Sequence, residues 1–262
     1  MKVNFGNVAK SYAKFRDDLP NELLESLTRR GISFESKRIA DLGSGTGVLT
    51  RDLQKAGAKV VGVEPSIELI EEAKEIDKAN GHPIQYVNAF SESTSLKEDT
   101  YDIVTVLRAW HWFDTEKTLL EIRKILKESG LLLVMDSGFT NQNKMVVETL
   151  DILRGLLPNG LARSAGSKAN SKQLINSFPV EWFKEWDEHY FDLQETYKFY
   201  YDVAFTNEEW CGRLSSLSWL TEFTESEREQ ILSSVYIYLN KAYQDVTHSI
   251  QHGCYIVVLN RR

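Results

Sequence analysis

IADLGSGTGVLT, Ile39 to Thr50, is the stretch whose reading decides the fold. An apolar lead-in at Ile39, Ala40 and Leu42 suits a buried parallel strand, and Gly43, Gly45 and Gly47 follow where such a strand turns into a helix. Glycine admits positive φ and lets a ligand lie against the backbone. A second apolar run, Ala58 to Val63, ends in Glu64, 21 residues after Gly43. A carboxylate closing the second strand can accept both hydroxyls of a ribose. The glycine order is GxGxG behind an acid, Asp41, and not the GxGxxG of a dinucleotide fingerprint, which disfavours a nicotinamide-dependent reductase.

Composition bounds the rest. A chain of 262 residues, 42% hydrophobic and 26% charged, can bury a sizeable core. Its formal charge of −7 disfavours nucleic acid as the main partner, because phosphate neutralisation needs clustered Lys and Arg. Cys211 and Cys254 form neither a metal-ligand spacing nor a disulfide framework, so no metal is expected and a reducing, cytoplasmic setting fits. No signal pattern or membrane-spanning apolar run is read, and no internal repeat or linker divides the chain, which predicts one soluble domain over 1–262. Within it, 1–31 reads as lid helices, 32–137 as the cofactor-binding core, and 138–262 as cap insertions with the last two strands.

Taken in order, the spacing of Val8, Tyr12 and Phe15, then Leu23, Leu24 and Leu27, predicts two short helices hinged at Leu19-Pro20. A core helix over Val48 to Ala56 and a strand over Lys59 to Val63 lead to Glu64-Pro65-Ser66. Ser66 is a candidate N-cap for a helix presenting Ile67, Ile70, Ala73 and Ile76 on one face. Ile84 to Val87 is a third strand and Asp102 to Leu107 a fourth, rich in β-branched residues. The fourth runs into RAWHWFD, Arg108 to Asp114, at the end of a strand where open α/β sheets place their ligands. A helix over Thr115 to Leu126 and a strand in KESGLLLVMD follow. Beyond Gly138 the pattern predicts a helix over Lys144 to Leu157, a small polar stretch that serves as a flap or a plain loop over 158–180, and a sixth strand near Glu188 to Leu193. Two capping boxes, Thr206 with Glu209 and Thr224 with Glu227, start helices running to about Leu214 and Gln244, and Gly253 to Asn260 reads as a buried final strand.

The run DLGSGTG, with Glu64 closing the next strand, resembles motif I and the acidic loop of class I S-adenosylmethionine-dependent methyltransferases. The likeness extends to HWFD, which is similar to the post-strand loop of the trans-aconitate methyltransferase-like branch of the type 11 group. The resemblance implies an α/β fold: a Rossmann-like, seven-stranded, mostly parallel sheet with helices on both faces, a seventh strand inserted antiparallel, and a helical cap. It implies S-adenosylmethionine as cofactor, in contact with Asp41, Gly43, Ser44 and Gly45 at the glycine turn. Glu64, Pro65, Ser66 and Ile67 would contribute at the ribose loop, and Leu107, Arg108 and Trp112 after the fourth strand. Near the third strand it implies Asn88, Phe90 and Ser91; the acid that the family often places here to touch the adenine amino group is absent, since Ala89, Phe90 and Ser91 precede Glu92. Adenine would then rest on Phe90, Ile67 and backbone near Ser91. The N-terminal segment resembles a methyltransferase lid, with Tyr12 over the methyl group and Arg16 on the methionyl carboxylate; the proline usual after that arginine is Asp17. The alternative for both is ordinary surface and packing roles.

Within this reading the acceptor is a small molecule. His111 is a candidate general base, as is Tyr12, with positioning or packing as the other readings of His111. Arg108, His111, Arg213 and Trp219 are candidate acceptor contacts, and the arginines Arg16, Arg108 and Arg213 favour an anionic acceptor. Arg108 pairing with Asp114 is the structural alternative. A non-catalytic nucleoside-binding module, and a methyltransferase acting on protein or RNA, stay open as other functions. Oligomeric state is not read from the sequence.

Overall fold

The computed structural model describes residues 19–158, 166–221, 223–244 and 246–262. The first lid helix, with Tyr12 and Arg16, lies outside the described residues. The chain divides into two compact units. One holds Leu19–Ser137, Ala165–Phe199 and Cys254–Arg262; the other is drawn from Gly138–Ser164 and Tyr200–Gly253.

The elements are α1 (Glu22–Thr28), β1 (Arg38–Leu42), α2 (Val48–Lys55), β2 (Lys59–Glu64), α3 (Ile67–Asn80), β3 (Gln85–Asn88) and β4 (Tyr101–Leu107), then α4 (Thr115–Ile125) and β5 (Leu126–Phe139). After them come α5 (Lys144–Leu156), the short pair β6 (Leu174–Ile175) and β7 (Phe178–Pro179), α6 (Val180–Glu188), β8 (Phe191–Phe205), α7 (Asn207–Ser215), α8 (Glu225–Ala242) and β9 (His248–Arg261). The main sheet has seven strands in the order β3-β2-β1-β4-β5-β9-β8. β1 pairs in parallel with β2 on one side and β4 on the other, and β2–β3 and β4–β5 are parallel too. The order reverses at β1, so the crevice beyond the carboxyl ends of β1 and β4 is the switch point at which this architecture holds ligands.

The central strands are buried on both faces, which is why they read as continuous apolar runs. Val61, Val104, Val106, Leu132 and Val134 share a core with Leu119 and Ile122 of α4 and with Trp182 and Trp186 of α6. The expected strand near Glu188 is corrected here. Val180–Glu188 is helical, because Trp182 and Trp186 lie four residues apart and bury one helix face; the strand starts at Phe191 and runs on to Phe205. The Ile67 position is also corrected: α3 buries Leu69, Ile70, Ala73 and Asp77, and leaves Ile67 at 47% exposure.

In the other unit α5, α7 and α8 pack through Met145, Val146, Leu153, Trp210, Leu214, Val235 and Leu239. Both capping boxes form, with Thr206 accepting from Glu209 N and Thr224 from Glu227 N, and each glutamate reaching back to the cap N–H. No helix among the described residues is long and apolar enough to cross a membrane.

Candidate functional site

The floor of the crevice is made by backbone. Gly43 and Ser44 donate to the Val63 carbonyl (2.8 and 3.1 Å), which fastens the turn after β1 to the end of β2. Gly43, at φ 68°, has no room for a side chain: a Cβ there would stand 2.6 Å from the Ala109 Cβ and 3.3 Å from the Phe113 ring. The turn after β1 and the corner after β4 are thus in backbone-to-side-chain contact.

Glu64 is the centre of this floor. Its Oε2 accepts from Gly45 N and its Oε1 from Ser66 N, each at 3.0 Å. Every carboxylate oxygen has two acceptor sites, so each keeps one after these bonds. Burial pushes the Glu64 carboxyl up; the two N–H bonds pull it down, and Asp41 nearby adds to the rise. Ser66 caps α3, accepting from Leu69 N. Asn88 sends its amide Nδ2 to the carbonyls of Glu64 (3.1 Å) and Pro65 (2.9 Å), so it fixes the loop on which Glu64 stands.

Asp41 is engaged by the protein in the same way. It is 1% exposed, and both oxygens are taken, Oδ2 by the Thr50 hydroxyl (2.6 Å) and Oδ1 by Thr105 (2.8 Å). It braces the turn from below. Burial pushes its carboxyl up to about 6 against the pull of the two hydroxyls. The Ser91 hydroxyl is likewise turned inward, between Thr118 Oγ1 and Glu92 (both 3.1 Å). Glu92, which the sequence reading left without a role, accepts from Asp114 N at 3.0 Å and ties the loop after β3 to the start of α4. Phe90, 52% exposed, and Ile67 lie after β3 and β2, at the two ends of the Glu64 loop.

The corner after β4 divides its aromatic residues. Trp110 turns into the core against Trp182 and Trp186 (6.5 and 5.8 Å between centroids), while His111 and Trp112 stay half-buried with their rings 4.7 Å apart. Leu107, also half-buried, ends β4 opposite Met135 of β5. Arg108 has φ 57°, and its Nε donates to the Ser137 carbonyl (3.0 Å) and hydroxyl (2.9 Å). Asp114 caps α4 and pairs with Lys117 (2.6 Å).

Two charged residues at this end escaped the sequence reading. Asp136, near the end of β5, is ion-paired with Lys168 in the 3-10 turn Gly166–Asn170. A charge directly after the apolar run LLLVM, at the carboxyl end of a central strand, was the available signal for Asp136; Lys168 sits in a polar stretch with none. Arg213 and Trp219 belong to the helical unit. Arg213 is only 2% exposed, lies over the Phe139 ring (5.3 Å) and donates to Ser216 Oγ (3.3 Å), so its guanidinium is enclosed rather than presented at an open mouth.

A family model described as a methyltransferase domain matches residues 40–134, from β1 to β5. A provisionally named methyltransferase of Dictyostelium discoideum is 33% identical over 143 residues, covering 53% of this chain and 52% of that protein. The chain spans about half the length of the curated relatives it matches first. Among solved structures, a provisionally named type II methyltransferase of Anaeromyxobacter dehalogenans has a TM-score of 0.61 at 18% identity, covering 90% of this chain and 95% of that one. Phospholethanolamine N-methyltransferase 2 of Haemonchus contortus, solved with phosphomonomethylethanolamine and S-adenosylhomocysteine, has a TM-score of 0.57 at 15% identity, covering 98% of this chain and 57% of that one. At these identities the two structures speak for the fold alone, and none of the matches singles out the trans-aconitate-like branch. Residues 40–134 match the methyltransferase-domain family model, and the seven-stranded sheet around them has the fold of the two solved methyltransferases.

Proposed function

We propose that this chain is an enzyme that transfers a methyl group from S-adenosylmethionine to a small-molecule acceptor bearing an anionic group. The observation that carries the reading is the seat of Glu64: a carboxylate at the end of β2, next to the strand at which the sheet order reverses, held by two backbone N–H groups with one acceptor site left on each oxygen for a pair of ribose hydroxyls. The residues around it fit the rest of the cofactor. Ile67 and Phe90 offer exposed apolar surface to the adenine ring, and Trp112 offers a wall beyond β4. Tyr12 and Arg16 remain assigned to the methyl group and the methionyl carboxylate.

When bound, the cofactor supplies a methyl carbon activated by its sulfonium. The chain's own work is to hold the acceptor nucleophile in line with that carbon and to exclude water, an orientation effect of about 7–11 kcal/mol at its fullest. Arg108 and Lys168 favour an acceptor with a carboxylate or phosphate, and His111 takes the acceptor's proton where the nucleophile has one to lose. The acidic balance of the chain weighs against RNA as acceptor.

Calorimetric titration with S-adenosylmethionine and S-adenosylhomocysteine tests the cofactor reading. The wild-type chain binds both, and Glu64→Ala weakens binding by about 1.5–3 kcal/mol, the range for hydrogen bonds to a charged group. If neither compound binds, the reading falls. The absence of an acid at Ala89 to Ser91 favours a second reading, a nucleoside-binding module without catalysis; methyl transfer to any compound in an acceptor screen excludes it.

A further inference from the structure

The corner that carries His111 is clasped by a tripeptide from elsewhere in the chain. Gly166 lies with its backbone against the His111 carbonyl: a Cβ at this residue would come within 1.9 Å of that oxygen, and its φ is 56°. Ser167 Oγ donates to the same carbonyl at 3.4 Å. Lys168, next in sequence, pairs with Asp136, and its ammonium lies 5.7 and 5.8 Å over the rings of Phe178 and Trp182. Both side chains of the pair are mostly enclosed, at 15% and 21% exposure, so water screens them less than a surface pair. Asp136 follows Met135, the β5 partner of Leu107, and so stands within β5 at the level where Arg108 follows the end of β4.

Burial alone would push the Asp136 carboxyl up, yet Lys168, His111 and Arg108 together hold it below its ordinary range. Such coupling is reciprocal. Whatever a protonated imidazole at His111 contributes to ionised Asp136, ionised Asp136 returns to the imidazolium.

We propose that Asp136 and Lys168 are positioning residues for His111: their ion pair seats Gly166–Lys168 on the His111 backbone, and their two opposite charges govern when the imidazole beside them carries a proton. The proposal rests on His111 being the proton acceptor of the site. Among the described residues, the charged groups on the elements packed at this corner include Arg108 from β4, Asp136 from β5, Lys168 from the turn, and Asp114 and Lys117 at the start of α4, with Glu92 on the Asp114 N–H. Cys254 of β9 stays neutral, since burial pushes its thiol up to about 12. Asp136 would keep the imidazole basic, and Lys168 would keep it from holding a proton permanently.

A titration of the histidine ring signals by NMR in the full-length protein tests this, with the His111 signal assigned by its loss in His111→Gln. Asp136→Asn removes a carboxylate that favours the imidazolium, so the His111 midpoint falls. Lys168→Met removes a cation that opposes it, so the midpoint rises, and Lys168→Arg keeps the wild-type value. A clasp with a purely structural role, when broken, would move both variants the same way. Shifts of one sign in both, or none in either, overturn the proposal. The titration needs no cofactor, so a wild-type chain that fails to bind S-adenosylhomocysteine would strike at the proposed function and leave this result standing or falling by itself.

Discussion

At the carboxyl ends of β1 and β2 the polar groups are bound to one another, Glu64 by the N–H groups of Gly45 and Ser66, whereas the ends of β4 and β5 carry the side chains of Arg108, His111 and Asp136, with Lys168 from a distant turn. The first region is fixed by the fold, because Gly43 and Ser44 hang on Val63 and Glu64 hangs on Gly45 and Ser66. The second can change charge and shape without disturbing a strand. A site divided in this way suits a reaction with one invariant ligand and one variable one, and fold and function separate at the second.

The largest expected effect strikes where the two regions touch. Gly43→Ala places a methyl 2.6 Å from the Ala109 Cβ on a backbone of φ 68°, combining left-handed strain with overpacking. The cost is about 2–4 kcal/mol of stability. Gly81→Ala is the control, since its φ of 74° carries similar backbone strain with nothing within 4 Å. Urea unfolding of the two variants should differ by the packing component; equal losses would mean that the corner after β4 yields freely and that the two regions are not rigidly joined.

Next in size is the brace beneath the floor. Asp41 is raised from 3.8 to about 6 by burial. At this group the native state therefore binds more protons than the unfolded chain between those values, and the Asp41 contribution to stability is highest below about pH 4, falling as the pH rises toward 6 and then levelling. The loss amounts to roughly 2–3 kcal/mol at neutral pH. Asp41→Asn, which keeps an acceptor and adds a donor for the two threonine hydroxyls, should flatten that part of the profile. Unfolding midpoints from pH 4 to 7 measure it; an unchanged slope would assign the pH dependence to other groups and leave Asp41 ionised at little cost.

How much of this was legible follows from where the information lies. The glycine turn, Glu64 and the Ser66 cap were readable because the constraint is local: a turn without side chains, a carboxylate at a fixed distance, a hydroxyl before an amphipathic helix. The capping boxes at Thr206 and Thr224 were readable for the same reason. Asp41 was legible in position, as the acid before the glycine turn, but not in its partners, since Thr105 is 64 residues away on β4. Lys168 and Asp136 meet across 32 residues through a turn with no periodicity, and no local pattern foretells that contact. Trp182 and Trp186 were readable as helix spacing, yet the alternation of the following strand masked them.

The smallest effect is the most discriminating for the floor. Ile67 and Phe90 are 47% and 52% exposed, so replacing either by alanine should alter stability by no more than about 0.5 kcal/mol. Exposed apolar side chains flanking the Glu64 loop gain from covering by a flat aromatic ring, and each truncation should weaken S-adenosylhomocysteine by about 1–2 kcal/mol. Ala89 to Ser91 include no acid, so on the proposed reading the double variant should lose more than either single one. Titrating both singles and the double closes the comparison. If affinity holds in all three, the adenine is gripped by backbone near Ser91, and the floor is built by main chain throughout.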